Sequence, residues 1–132
     1  MEVAKHQRLE ELDLFRRYTA VARWAWISVA AWSSFARDTT GKQLVRAAGS
    51  IGANLVEGDA RHRRADGLHF FVIARASARE TECWVRLAIE RELIRPADGE
   101  EQITEHIAAT RMLNALINYR RTHESPGVVK ES

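Results

Sequence analysis

The sequence predicts an all-α protein, an antiparallel four-helix bundle, and three observations lead there. Chain breakers are scarce: the 132 residues include two prolines and seven glycines, too few for the many turns of an all-β fold. Those breakers gather at Asp38-Thr39-Thr40-Gly41, from Glu57-Gly58-Asp59 through Asp66-Gly67, and at Arg95-Pro96-Ala97-Asp98-Gly99, leaving four long segments. Within the segments apolar residues recur at helical spacing. Helices are expected over 8–36, 41–57, 66–94 and 99–122, and connections this short make neighbours antiparallel. One domain over 1–122 follows, with 123–132, which contains Ser125-Pro126-Gly127, as a flexible tail.

The first helix carries Trp24, Trp26, Ile27, Val29, Trp32 and Phe35 in several directions with no charge among them. A helix apolar all round must be covered on more than one side, so Trp24, Trp26 and Trp32 are expected to pack in a homo-oligomer. The second helix is the most orderly. Leu44, Val45, Ala48, Ile51, Gly52, Leu55 and Val56 share one side, while Gln43, Arg46, Ser50, Asn54 and Glu57 line the other. Thr40 with Gln43 three residues on fits a capping box at its start. On the third helix Arg75, Arg79 and Arg86 follow at helical spacing, and Cys83 beside Trp84 reads as a small buried residue. The fourth opens with Pro96 at a tolerated first-turn position and with Asp98, Glu100 and Glu101 at the positive end of its dipole. Its apolar stripe is expected to run through Ile103, Ile107, Thr110, Asn114 and Ile117.

At 15.0 kDa the chain has the size of one domain with one core. The lone Cys83 excludes an internal disulfide and a thiol-rich metal site. The opening Met1 to Arg8 is polar, and the longest uncharged stretch, Trp24 to Ala36, has 13 residues, short of the roughly 18 that cross a bilayer. A soluble cytoplasmic protein with no membrane contact is expected.

Charge is distributed unevenly. The net is +2, and 17 of the 20 cations are arginine, the cation suited to bidentate contact with phosphate. Residues 16–79 carry a net +7, whereas 80–132 carry −3. Arg61, His62, Arg63 and Arg64 concentrate the positive half at the second turn, and Arg75 and Arg79 continue it. Such a surface suits a nucleic-acid backbone. The competing explanation is a solvated turn with salt bridges to Glu82 and its neighbours.

Catalysis and metal binding find less support. Ser50, Asn54 and Glu57, with His62 or His69 as a base, lack any predicted nucleophile–base–orienter geometry, and a polar seam against another helix or subunit explains them better. Histidines at 6, 62, 69, 106 and 123 show no i, i+4 pair and no Glu-x-x-His, so solvent-facing positions and no metal are expected. No glycine-rich phosphate loop is present, and no cofactor is expected.

Gln43-Leu44-Val45-Arg46-Ala47-Ala48-Gly49-Ser50-Ile51-Gly52-Ala53-Asn54-Leu55-Val56-Glu57-Gly58, followed by Phe70, Ile73-Ala74, Ser77 and Glu80, resembles the signature of the four-helix-bundle proteins encoded in 23S ribosomal RNA intervening sequences. Asp13-Leu14 and Arg111-Met112-Leu113 look like the matching features of the outer helices, so the resemblance covers about residues 12–120. It implies a ring-like homopentamer without known catalytic activity. The same superfamily includes the accessory variability protein of diversity-generating retroelements, a basic pentamer that binds nucleic acid and a reverse transcriptase. The chain departs from the pattern at Arg63, where a serine cap is usual, at Gly67, where a large apolar residue is usual, and at Ala76, where glycine is usual.

Together these readings predict a non-enzymatic oligomer that binds RNA or DNA through Arg61, Arg63, Arg64, Arg75 and Arg79. Gln43, Arg46, Ser50, Asn54, Glu57, Ser77 and Glu80 are expected to form a structural seam. The alternative is a protein-interaction adaptor, for example a reverse transcriptase accessory subunit.

Overall fold

The computed structural model describes Leu9 and residues 12–123; the expected tail beyond 123 and the polar start up to Arg8 lie outside the described residues. Four long helices dominate: α1 (Asp13–Ala30), α2 (Lys42–Asp59), α3 (Arg64–Glu90) and α4 (Pro96–Thr122), and the described residues contain no strand. Each helix packs on its two neighbours around the bundle, α1 on α2 and α4, α3 on α2 and α4. Across α2 and α3, Arg46 meets Glu80, Ser50 meets Ser77 and Gly58 meets Gly67, so the two run antiparallel. Among the described residues no helix is long and apolar enough to cross a membrane.

The first helix is shorter than expected. It ends at Ala30, not at 36, because Ser33 caps a new helical turn, its Oγ accepting from the Ala36 amide. That turn (Ser34–Ala36) passes through a π-helical turn (Arg37–Gly41) into α2. The expected capping box of Thr40 and Gln43 is therefore absent. Position 40 is already inside a helix; Thr40 is buried and its Oγ1 accepts a hydrogen bond from Arg91 Nη1 at 2.7 Å, while the Gln43 side chain accepts from Arg46 Nε. Gly41 fits under α1 because it has no Cβ; one built there would lie 2.5 Å from Val29 Cγ1.

The core has two clusters. One joins Tyr18, Ile51, Leu55, Phe71, Leu113 and Ile117, and the other joins Ala25, Val29, Leu44, Ala48, Val85 and Ile103. Buried positions on α3 run through 71, 74, 78, 81, 85 and 88, which puts Cys83 on the opposite side of the helix, exposed and not buried as expected. On α4 the buried line runs through Ile103, His106, Ala109, Leu113 and Ile117. It is rotated from the expected stripe, and Ile107, Thr110 and Asn114 fall at its half-buried edge. Helix α3 ends at Glu90, earlier than position 94, in a left-handed cap: Glu92 has φ 61°, and the amides of Leu93 and Glu92 bond to Ala88 O and Ile89 O.

Candidate functional site

The connection between α2 and α3 is built on two glycines. A Cβ on Gly58 would lie 2.8 Å from the carbonyl oxygen of Gly67, and one on Gly67 would lie 2.8 Å from that of Gly58. Only residues without Cβ let these backbones touch. The close approach leaves Arg61, His62, Arg63 and Arg64 together on an exposed corner. Arg61 pairs with Glu57, one turn back, and its guanidinium stands 4.6 Å from the Phe70 ring centre. Arg63 caps α3 with its backbone extended and supplies no side-chain cap. From the last turn of α4, Arg120 enters beneath the corner with 8% of its surface exposed. It pairs with Asp59 at 3.4 Å and stands 5.3 Å from the Phe71 ring centre. Arg61, Arg63, Arg64 and Arg120 line one recess over Phe71.

The polar side of α2 faces α3 of the same chain. Ser50 and Ser77 hydroxyls are 3.0 Å apart, and Asn54 Nδ2 donates to Ser50 O and Oγ. Arg46 pairs with Glu80, whose carboxylate also accepts from Trp84 Nε1 at 3.0 Å. No histidine joins this group among the described residues, so Ser50 has no imidazole base beside it. Glu57 stands apart from the ladder, at the corner with Arg61.

The remaining arginines are dispersed. Arg75 donates to Asn114 Oδ1 at 2.9 Å across the α3–α4 interface, and Arg86 pairs with Glu82 at 3.0 Å. Arg79 is exposed on α3, roughly 20 Å along the axis from Arg64 at 1.5 Å per residue. The structure thus brings Arg61, Arg63 and Arg64 together and leaves Arg75 and Arg79 outside that corner.

A second polar group lies inside the bundle. His106, expected in solvent, is 3% exposed, because it falls on the centre line of α4. Its Nε2 lies 2.6 Å from Ala78 O, which can only accept, so Nε2 carries the proton; Nδ1 is buried with no hydrogen-bond partner among the described residues. Burial pushes its pKa below the ordinary value, against the opposing pull of the Ala78 carbonyl and of Glu82. Tyr18 packs edge-on to the imidazole at 5.3 Å and its hydroxyl bonds Thr110 Oγ1 at 2.7 Å; burial pushes the phenol up to about 12.

Residues 10–115 match the family model of the 23S rRNA-intervening sequence protein. The chain belongs to that family. A protein of unknown function from the S23 ribosomal protein family of Bacteroides thetaiotaomicron is similar in structure, with a TM-score of 0.70 and 26% identity over 79% of this chain and 97% of that one. No curated protein matches the chain in sequence. Two of the three departures noted above, those at 67 and 63, have visible roles in this member of the family. Gly67 is buried against Gly58, and Arg63 gives the corner a cation where a serine would have bonded the first turn.

Two features of this family member escaped the sequence reading. Arg120 in a last helical turn looks like a charge placed against the helix dipole, yet the spacing 106, 113, 117, 120 continues the buried line. Glu92 carries no glycine or asparagine signal for its left-handed conformation. No group of three or more histidine, cysteine, aspartate and glutamate side chains is arranged to hold a metal among the described residues.

Proposed function

We propose that the chain is a non-enzymatic nucleic-acid-binding protein of the cytoplasm, gripping phosphate backbones with Arg61, Arg63 and Arg64 and working as a homo-oligomer. The carrying observation is the corner itself, where those three arginines and His62 are all exposed and contiguous. Arginines on a turn reach phosphates more readily than base edges, so binding is indifferent to sequence and falls steeply with salt. Arg79 adds a further contact along α3, and Arg75 contributes through its free donors. At the other end of the bundle Trp26, Ile27 and Phe35 are 67%, 59% and 80% exposed. That apolar group supports self-association, and the family resemblance makes a ring-like pentamer the expected form. A ring repeats the corner and builds a strong field from a modest local charge.

An equilibrium titration against structured RNA and duplex DNA at several salt concentrations tests this reading. Replacing Arg61, Arg63 and Arg64 with alanine is expected to weaken binding across unrelated sequences and to reduce the salt slope by up to about 3, with helicity unchanged. Equal affinities for the two proteins, or no binding by wild type at low salt, would remove the reading. The exposed apolar end would then favour the adaptor alternative, a protein partner such as a reverse transcriptase.

A further inference from the structure

We propose that the recess at the corner seats a single phosphate group, with Arg120 as its floor. The inference rests on the nucleic-acid reading only for the source of that phosphate, a backbone phosphodiester; the seat itself stands on the recess. The recess is narrow, with room at its base for about one oxygen-sized atom of a phosphate whose remainder lies at the mouth, and its lining contains four arginines and no carboxylate. Three come from one turn, whereas Arg120 arrives from the end of α4, so the arginines approach the recess from two directions. A planar carboxylate satisfies one guanidinium edge; the tetrahedral oxygens of a phosphate can accept from several at once.

Arg120 is the decisive member. No nitrogen of Arg120 is both buried and unpartnered, so the donors not given to Asp59 remain open to solvent and to a ligand. Its one carboxylate contact, Nη2 to Asp59 at 3.4 Å, is long beside the 2.7–2.9 Å of a strong charge-assisted bond. A guanidinium has five N–H donors, and the Phe71 ring covers the group without accepting through them. Arg61 likewise gives one nitrogen to Glu57 while Phe70 fixes its plane. Arg63 and Arg64 donate to no side chain among the described residues. Three carboxylates lie nearby, Glu57, Asp59 and Asp66, fewer than the four arginines, and two of them are already held. The lack of a side-chain cap at the start of α3 leaves first-turn amides on the same corner.

Amide and arginine Nε resonances of the full chain, titrated with inorganic phosphate against sodium chloride at matched ionic strength, test the seat. Signals of 58–67 and Arg120 Nε are expected to shift saturably with phosphate alone. Asp59→Asn/Arg120→Gln, which leaves no carboxylate unpaired, is expected to weaken phosphate at least tenfold relative to Asp59→Asn at equal melting temperature. Arg120→Lys, which keeps the charge if the double variant folds poorly, is expected to weaken it severalfold. Shifts that grow linearly as in chloride, or an affinity unchanged by both Arg120 variants, would overturn the seat. A parallel titration with structured RNA separates the two ideas. RNA binding that shifts the signals of 61–64 but leaves Arg120 Nε in place removes the seat and spares the nucleic-acid reading. Saturable phosphate at the corner with no RNA or DNA binding at low salt keeps the seat, its phosphate then coming from a small phosphorylated compound, and removes the nucleic-acid reading.

Discussion

Two single residues make the stability of this protein depend on conditions and on one backbone angle. His106 is buried with its pKa lowered, so folding favours the neutral ring. The unfolded chain, with an ordinary value near 6.5, takes up a proton that the folded state resists. Stability contributed by the neutral ring is therefore complete above pH 6.5 and declines as pH falls below it toward the folded-state value. Urea unfolding at pH 7.5 and 5.5 is expected to differ by up to about 1.4 kcal/mol from this residue, and His106→Met is expected to flatten that difference. A slope retained in full by the variant would assign it to other groups. Glu92 offers the opposite opportunity. A residue with a Cβ at φ 61° carries about 1–2 kcal/mol of strain, partly offset in glycine by the larger entropy of its unfolded chain. Glu92→Gly is expected to stabilise by about 0.5–1 kcal/mol, measured as a rise in melting temperature of a few degrees.

At the scale of elements, α2 and α3 are held by a ladder from Arg46–Glu80 through Ser50–Ser77 to the glycine contact at 58 and 67. Two glycines of the same helix should respond in opposite ways. A Cβ at Gly49 meets nothing within 4 Å, so Gly49→Ala gains helix propensity and is expected to stabilise by about 1 kcal/mol. A Cβ at Gly58 meets backbone that cannot yield, and Gly58→Ala is expected to destabilise by about 1–3 kcal/mol despite the same gain. Chemical denaturation of both variants checks the pair; matching signs would refute the packing argument. Much of this was legible in the sequence. The amphipathic order of 43–58 placed α2 within two residues of its observed ends, and of the polar residues along it Arg46 and Ser50 meet α3 while Glu57 pairs at the corner. The passage into α2 was not legible, because Asp38-Thr39-Thr40-Gly41 has the composition of a loop and folds as a π turn. Nor was the end of α1, where Ala31 and Trp32 carry no breaker signal and the cap is one serine of a pair.

For the whole molecule, the antiparallel order sends the end of α2 and the start of α3 to one pole and the start of α2 to the other. The basic corner and the exposed Trp26, Ile27 and Phe35 are therefore separated by the length of α2, roughly 26 Å at 1.5 Å per residue. Trp24 and Trp32 are half-buried against the second core cluster, so the uncovered apolar surface is narrower than the run Trp24–Ala36 alone implies. Light scattering during gel filtration is expected to give a mass several times 15.0 kDa, and Trp26→Glu/Phe35→Glu to reduce it. A wild-type mass of one subunit at micromolar concentration would refute self-association. The basic corner was legible from charge counting, because 61–64 are consecutive. Its buried partner was not, because the burial of Arg120 depends on where the end of α4 meets the end of α2.

The π turn at Arg37–Gly41 also bears on how chains of this family are to be aligned. Each hydrogen-bonded ring of a π turn encloses one more residue than an α turn. A relative that makes the same passage with ordinary α turns spends one residue fewer between the buried Ala36 and the buried Leu44. Matching such a chain by environment then requires a one-residue gap within positions 37–41. Without it, every position on the Ser33 side of the gap would be compared with a neighbour lying about 100° around the helix, and the uncharged run before α2 would look more divergent than it is.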